Sequence, residues 1–270
     1  MVDKSHPDRF FFAFGLRFNA ITDEQAVDLV MAKVFQRQKT LVVTPNVDHI
    51  VQLQRNPAMA QAYNKAELVF ADGMPLVWFS RWVGASITLP ERVNGTNLVE
   101  GLVKASALLK VRIGLLGGEP GSAEKLAATM ATKYPDWKFA GWSCPPFGFE
   151  QRSDTAQAVI RTINDWQADI LLVGLGAPKQ EMWISNHWDA LHFTVAIGIG
   201  SAIDMLAGKH KRAPVWMQRA GLEWFWRLLL EPRRLWKRYL VDDIAFLPLA
   251  LREIKPAKNK NKLAPLKEIR

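Results

Sequence analysis

The chain has 270 residues, 49% of them apolar and 23% charged, with 35 Lys and Arg against 26 Asp and Glu for a formal net charge of +9. This is an ordinary globular balance, and it excludes a wholly disordered chain, a collagen-like repeat and a disulfide-dense scaffold. The charge is unevenly placed: residues 1–207 carry 19 basic and 20 acidic side chains, whereas residues 208–270 carry 16 and 6.

A short aromatic run from Phe10 to Phe14 is flanked by polar residues and Arg17, and is too short for a signal h-region. A helix is predicted over 22–37, where Thr22 precedes Gln25 by three residues as in a capping box. Five apolar runs, at 40–44, 68–71, 111–116, 170–173 and 193–197, are each followed by Gly, Pro or Asp. Such continuous runs of about five residues indicate strands buried on both faces, as in a parallel sheet. Residues 122–133 and 154–166 read as helices between them. The alternation predicts an α/β fold, a Rossmann-like doubly wound and mostly parallel sheet.

The body is expected to end near Gly208. Residues 214–230 have helical spacing, Pro232 interrupts it, and 233–240 begins another helix. The expected division is a body at 1–207, a helical appendage at 208–254 and a flexible basic tail at 255–270. The lone Cys144 excludes an intramolecular disulfide and a Cys-rich zinc site. No stretch reaches the roughly 18–20 apolar residues of a membrane span, so the chain reads as cytoplasmic with at most peripheral membrane contact.

In an open α/β sheet, ligands bind beyond the carboxyl ends of the strands. The segments there are Thr44-Pro45-Asn46, Asp72-Gly73, Gly117-Gly118, Gly174 to Glu181 and Gly198 to Asp204. Glycine at such ends lets backbone amides approach a phosphate, although it also serves ordinary strand-to-helix turns. The spacing is not the dinucleotide fingerprint, and no Walker A motif is present. Asp72 reads equally as a general base facing the crevice or as an Asx-turn or N-cap residue. His49 and His187 read as surface or helix-packing residues. The sequence has no Asp-x-Asp, His-x-x-x-His or His-Glu-x-x-His, so no metal or cofactor is expected. Charge on a leaving diphosphate would then fall to arginine, lysine, amides or helix dipoles.

Seven segments occur together in order: Thr44-Pro45-Asn46, Ala71 to Pro75, Glu91 to Gly95, Gly176 to Glu181, Gly198 to Asp204, Gly208 to Pro214, and Gly221-Leu222-Glu223-Trp224 with Arg227 and Glu231 to Arg234. Over roughly residues 10–245 the chain resembles the WecG/TagA/CpsF family of bacterial glycosyltransferases. The resemblance implies a metal-independent, inverting transfer from a UDP-sugar to an undecaprenyl-diphosphate-linked sugar in envelope-glycan or exopolysaccharide assembly. It places Asp72 as catalytic base, Thr44 and Asn46 in the pocket, Arg92 near the leaving diphosphate or acceptor, and Gln180 in the same pocket. The expected donor-binding set is Gly117, Gly118, Gly176, Pro178, Lys179, Glu181, Gly200 and Asp204. Arg212, Arg219, Arg227, Arg234 and Arg238 are expected to meet the acceptor or lipid head groups.

The basic, Trp-rich C-terminal section suits the anionic face of an inner membrane. Juxtamembrane Lys and Arg contribute about 1 kcal/mol each, and Trp favours the interface. Leu222, Phe225 and Leu229 are expected to cover the body, and Trp142 to Phe149 to form a pocket rim. A glucose-type hexose or N-acetylmannosamine is the expected sugar, ahead of a uronate, because no dedicated second arginine is evident. A homo-oligomer is left open. The rival readings are a nicotinamide-dependent sugar-nucleotide enzyme, against which the missing fingerprint stands, and a basic nucleic-acid-binding module. The second leaves Asp72 and the glycine-rich strand ends unexplained, so no nucleic-acid partner is expected.

Overall fold

The apolar runs become strands. The computed structural model describes residues 9–254, apart from the side chains of Arg219 and Arg234, so the tail at 255–270 lies outside the described residues. The strands are β1 (Phe10–Ala13), β2 (Leu16–Asn19), β3 (Thr40–Val43), β4 (Ala66–Val69), β5 (Ile113–Gly117), β6 (Gly141–Ser143), β7 (Ile170–Gly174) and β8 (Val195–Gly198). The body helices are α1 (Asp23–Phe35), α2 (Val47–Leu53), α3 (Pro57–Asn64), α4 (Met74–Trp82), α5 (Gly95–Leu109), α6 (Ser122–Lys133), α7 (Ser153–Asp165), α8 (Lys179–Asn186) and α9 (Ala202–Leu206). The C-terminal appendage carries α10 (Val215–Arg219), α11 (Glu223–Leu230), α12 (Pro232–Lys237) and α13 (Phe246–Ile254), with tighter and wider helical turns between the last two.

Six strands pair in the order β4-β3-β8-β7-β5-β6, every pairing parallel. This is the Rossmann-like sheet expected from the alternating pattern. The steps β3 to β4 and β5 to β6 run outward in opposite directions, which leaves a crevice over the carboxyl ends of the central strands. Alternate residues feed two apolar layers. Leu41, Val43, Leu171 and Val173 pack on one face, and Val42, Ile170, Leu172 and Ile197 on the other. Each such buried side chain contributes roughly 1.5–3 kcal/mol, so the central strands are fixed in register.

The aromatic run missed as structure is a hairpin, β1 antiparallel to β2. Its turn places Phe14 and Gly15 at φ +56° and +76°, as a two-residue primed turn requires. Phe14 is held there by ring contacts to Phe79 and Phe246, with centroids 4.9 and 5.3 Å away. The capping box at α1 is present in full, with Thr22 and Gln25 each bonding the other's amide.

Residues 214–230 do not form the single helix that their spacing suggests. Gly221, at φ +68°, breaks the ladder between α10 and α11. A Cβ there would lie 2.6 Å from the Trp78 ring, so the break also seats the appendage on the body. Hydrophobic periodicity runs on through this point, which is why the sequence pattern does not mark it.

Candidate active site

A cavity of about 330 Å³, a size suited to a small ligand, opens over the carboxyl ends of β3, β4 and β8. Its body side carries Asn46 and Asp48 at the start of α2, Asp72 and Gly73 before α4, and Arg92. The starts of α5 and α9 complete that side. Its other wall is the appendage, through Glu223, Trp224, Arg227, Arg238, Tyr239, Asp243 and Phe246.

Asp72 is anchored by its backbone amide, which donates to the Pro45 carbonyl at 2.9 Å. The N-cap of α4 is Gly73, so the capping alternative for Asp72 does not hold. Among the described residues, no hydrogen bond or ion pair occupies the Asp72 carboxylate. Burial pushes its pKa up to about 6; Arg92 and Arg227 pull it down, and Glu223 and Asp23 raise it. The group is therefore mostly ionised near neutrality yet a better proton acceptor than an exposed aspartate.

Asn46 caps α2 by accepting from the His49 amide at 3.2 Å, and also accepts from Arg238 at 3.4 Å. Arg238 pairs with Asp48 at 3.0 Å, Arg227 donates to Ser201 Oγ at 3.1 Å, and Arg92 pairs with Glu223. Thus two of the three cavity arginines, Arg227 and Arg238, come from the appendage and are turned into the cavity. Arg212 donates to Asn97 Oδ1 at 2.7 Å on the body. The Arg219 and Arg234 side chains lie outside the described residues.

Thr44 and Gln180 do not line this cavity. Thr44 donates to the Gly198 carbonyl at 3.0 Å, and Gln180 Oε1 accepts from the Gly200 amide at 3.1 Å. Both are buried behind the wall and fix the β8–α9 turn that carries Ser201.

The expected donor set divides. Gly117, Gly118 and Lys179 line a second cavity of about 430 Å³ beyond β5 and β7, rimmed by Cys144 to Glu150; of the expected rim, Trp142 and Ser143 do not line it. Gly176, Pro178, Glu181, Gly200 and Asp204 line neither cavity. Glu181 is fully buried, accepts from Gln180 at 2.8 Å, and is pushed up to about 7 by that burial. Asp204 accepts from the Glu119 amide at 2.7 Å and, with Glu119 and His210, forms a trio whose ligand atoms lie within 4.8 Å of one another. Lys209, 3.6 Å from Glu119, also supplies positive charge there.

The two histidines pack as structure. His49 is buried against the Tyr63 hydroxyl at 2.7 Å, and burial, with Arg238 adding, pushes it down to about 3. His187 Nδ1 donates to the Trp183 carbonyl at 2.9 Å.

Helix α11 overturns the expectation that Phe225 and Leu229 cover the body. They are 41% and 59% exposed, whereas Glu223 is 8% exposed. Glu223 and Arg227 find partners in Arg92 and Ser201, which turns the polar side of the helix inward. Leu222 is half-buried. Glu223, Ser201, Tyr239 and Asp243 are site residues that sequence reasoning leaves without a role. The one available signal was a single acidic residue opening a helix whose only other charged residue is Arg227.

The model of the glycosyl transferase WecG/TagA/CpsF family matches residues 11–260. The chain belongs to this family. Among relatives, the N-acetylglucosaminyldiphosphoundecaprenol N-acetyl-beta-D-mannosaminyltransferase of Staphylococcus aureus (strain NCTC 8325 / PS 47) is 28% identical over 253 residues, covering 93% of this chain and 94% of that protein. The Bacillus subtilis (strain 168) protein of the same name is 33% identical over 206 residues, covering 76% and 75%. This WecG/TagA/CpsF member has, among its described residues, no helix long and apolar enough to cross a membrane.

Proposed function

We propose that the protein transfers N-acetylmannosamine, with inversion, from a UDP-sugar to the sugar of an undecaprenyl-diphosphate-linked acceptor in cell-envelope glycan assembly. The observation that carries the reading is the Asp72 carboxylate, unpaired among the described residues, on a cavity that also holds Arg92, Arg227 and Arg238. The relatives' names favour N-acetylmannosamine over a glucose-type hexose. A uronate has less support, because the relatives' names specify N-acetylmannosamine and not its uronic acid.

In this mechanism an acceptor hydroxyl gives its proton to Asp72 as its oxygen bonds to C1 of the donor sugar. The C1–O bond to UDP breaks on the opposite face, and the electron pair leaves with the diphosphate. Direct displacement needs one base and no covalent nucleophile. The arginines stabilise the charge growing on the diphosphate, and the 15-residue α5 turns its amide end toward the same cavity. This assigns the leaving charge to protein cations, with no divalent ion required. Gly117, Gly118 and Lys179 are proposed to hold the nucleotide end of the donor in the second cavity. The outward apolar side of α11, formed by Phe225, Leu229 and Leu230, with exposed Trp216 and Trp236 on the neighbouring helices, supports peripheral docking on an anionic cytoplasmic membrane face.

Asp72→Asn tests the reading directly. Turnover should fall roughly 10³-fold, within the usual range for loss of a general base, while calorimetric UDP-sugar binding stays near wild type. In the wild-type enzyme the base is active only when ionised. kcat/KM should therefore rise with pH through about 6 and level off above it. Near-normal turnover of Asp72→Asn removes Asp72 as the base.

A further inference from the structure

We propose that Glu223 is a positioning residue of the catalytic centre: it fixes the Arg92 guanidinium within the field of Asp72, and places its own negative charge there only when the appendage is docked. The inference rests on Asp72 being the base. Glu223 opens α11 on the appendage, whereas Arg92 lies 131 positions earlier on the body. Their side chains are only 11% and 15% exposed. A carboxylate so enclosed is costly without a partner, and Arg92 supplies one.

A plain clasp between body and appendage would explain the pair if it lay away from the chemistry. It does not: Glu223, Arg92 and Asp72 line the same cavity. The charged groups acting on Asp72 are Arg92 and Asp23 from the body, and Glu223 and Arg227 from the appendage. Asp48, Arg238 and Asp243 face the same cavity from α2 and from the turns after α12. Arg92 and Arg227 favour the ionised base, while Glu223 and Asp23 favour its protonated form. The appendage thus contributes one charge of each sign and also removes water. Undocking it strips Arg92 of its counter-ion and exposes the base.

Glu223→Gln keeps the side-chain shape and removes the charge. With a like charge gone and Arg92 uncompensated, Asp72 ionises more readily. The acid limb of the kcat/KM profile should move to lower pH by about one unit, the low end of the shift a nearby charge produces. kcat should fall about tenfold, with KM for the donor changing less, because a positioning residue acts mainly on the chemical step. Glu223→Asp keeps the charge on a shorter arm. Its limb should stay at the wild-type position while kcat falls.

An unmoved limb in Glu223→Gln, with a wild-type melting curve, overturns the assignment and leaves a structural clasp. If Glu223→Gln does not fold, Glu223→Asp decides. A limb that moves although the charge is retained overturns the assignment equally. Asp72→Asn, run alongside, separates the two ideas. If it retains turnover, the base itself is misassigned; if it is inactive and the Glu223 limb is still, only the positioning role fails.

Discussion

Helices α1 and α11 use one amphipathic pattern in opposite senses. In α1, Ala26, Val30, Met31 and Val34 are buried against the body, and Glu24 and Asp28 face out. In α11, Glu223 is buried and Arg227 faces the cavity, while Phe225, Leu229 and Leu230 are exposed. The first helix gains stability from apolar burial. The second carries polar groups to a ligand cavity and leaves apolar side chains exposed. Periodicity alone reports that two faces exist, not which of them is inside.

The sharpest break in that comparison is deletion of the appendage from Pro214 onward. Transfer to a lipid-linked acceptor should be lost, because Glu223, Arg227 and Arg238 leave the cavity together. Binding to anionic liposomes should weaken as well. A truncated protein that kept both properties would refute any role for the appendage. The deletion does not separate cavity closure from membrane docking, whereas Phe225→Ser with Leu229→Ser does. Two exposed apolar side chains contribute roughly 1.5–3 kcal/mol each on entering an apolar phase, and 1.4 kcal/mol is tenfold. Vesicle sedimentation and transfer to a membrane-embedded acceptor should therefore drop by more than about tenfold. Transfer to a short-chain soluble acceptor should hold. Loss on both acceptors would mean that the outward face supports the cavity and not a membrane.

The sheet was legible because five of its six strands are short apolar runs ended by a turn residue, the pattern that burial on both faces of a parallel sheet leaves. The three-residue β6 carries too few apolar positions to register, and the Phe10–Ala13 hairpin strand was hidden because its turn uses Phe14 in place of Asn or Asp. The position of Asp72 was legible from its place after a buried strand. Its freedom from capping was not, because that depends on Gly73 taking the cap. Thr44 and Gln180 were named from motifs, yet their side chains support the wall from behind. The roles of Glu223 and Arg238 depend on contacts across 131 and 190 or more residues, which local pattern does not encode.

The comparison sharpens further in two stability variants. Gly221→Ala forces a side chain into a positive-φ position against Trp78 and should cost about 2 kcal/mol, read as a lower thermal midpoint together with reduced transfer. Thr22→Ala removes the hydroxyl that accepts from the Gln25 amide, and should cost about 1 kcal/mol. The smaller change is the finer test. Thr22 precedes Asp23, whose carboxylate accepts from the Asn94 amide at 3.1 Å and from Asn97 Nδ2 at 2.7 Å. Asn94 caps α5, and the first turn of α5 forms part of the cavity. If the body is a rigid scaffold, Asp23 stays seated when the cap is lost, the thermal midpoint falls and kcat does not change. If kcat falls with the midpoint, the start of α1 is mechanically part of the site, and the division between a stabilising body helix and a working appendage helix is less sharp than their faces suggest.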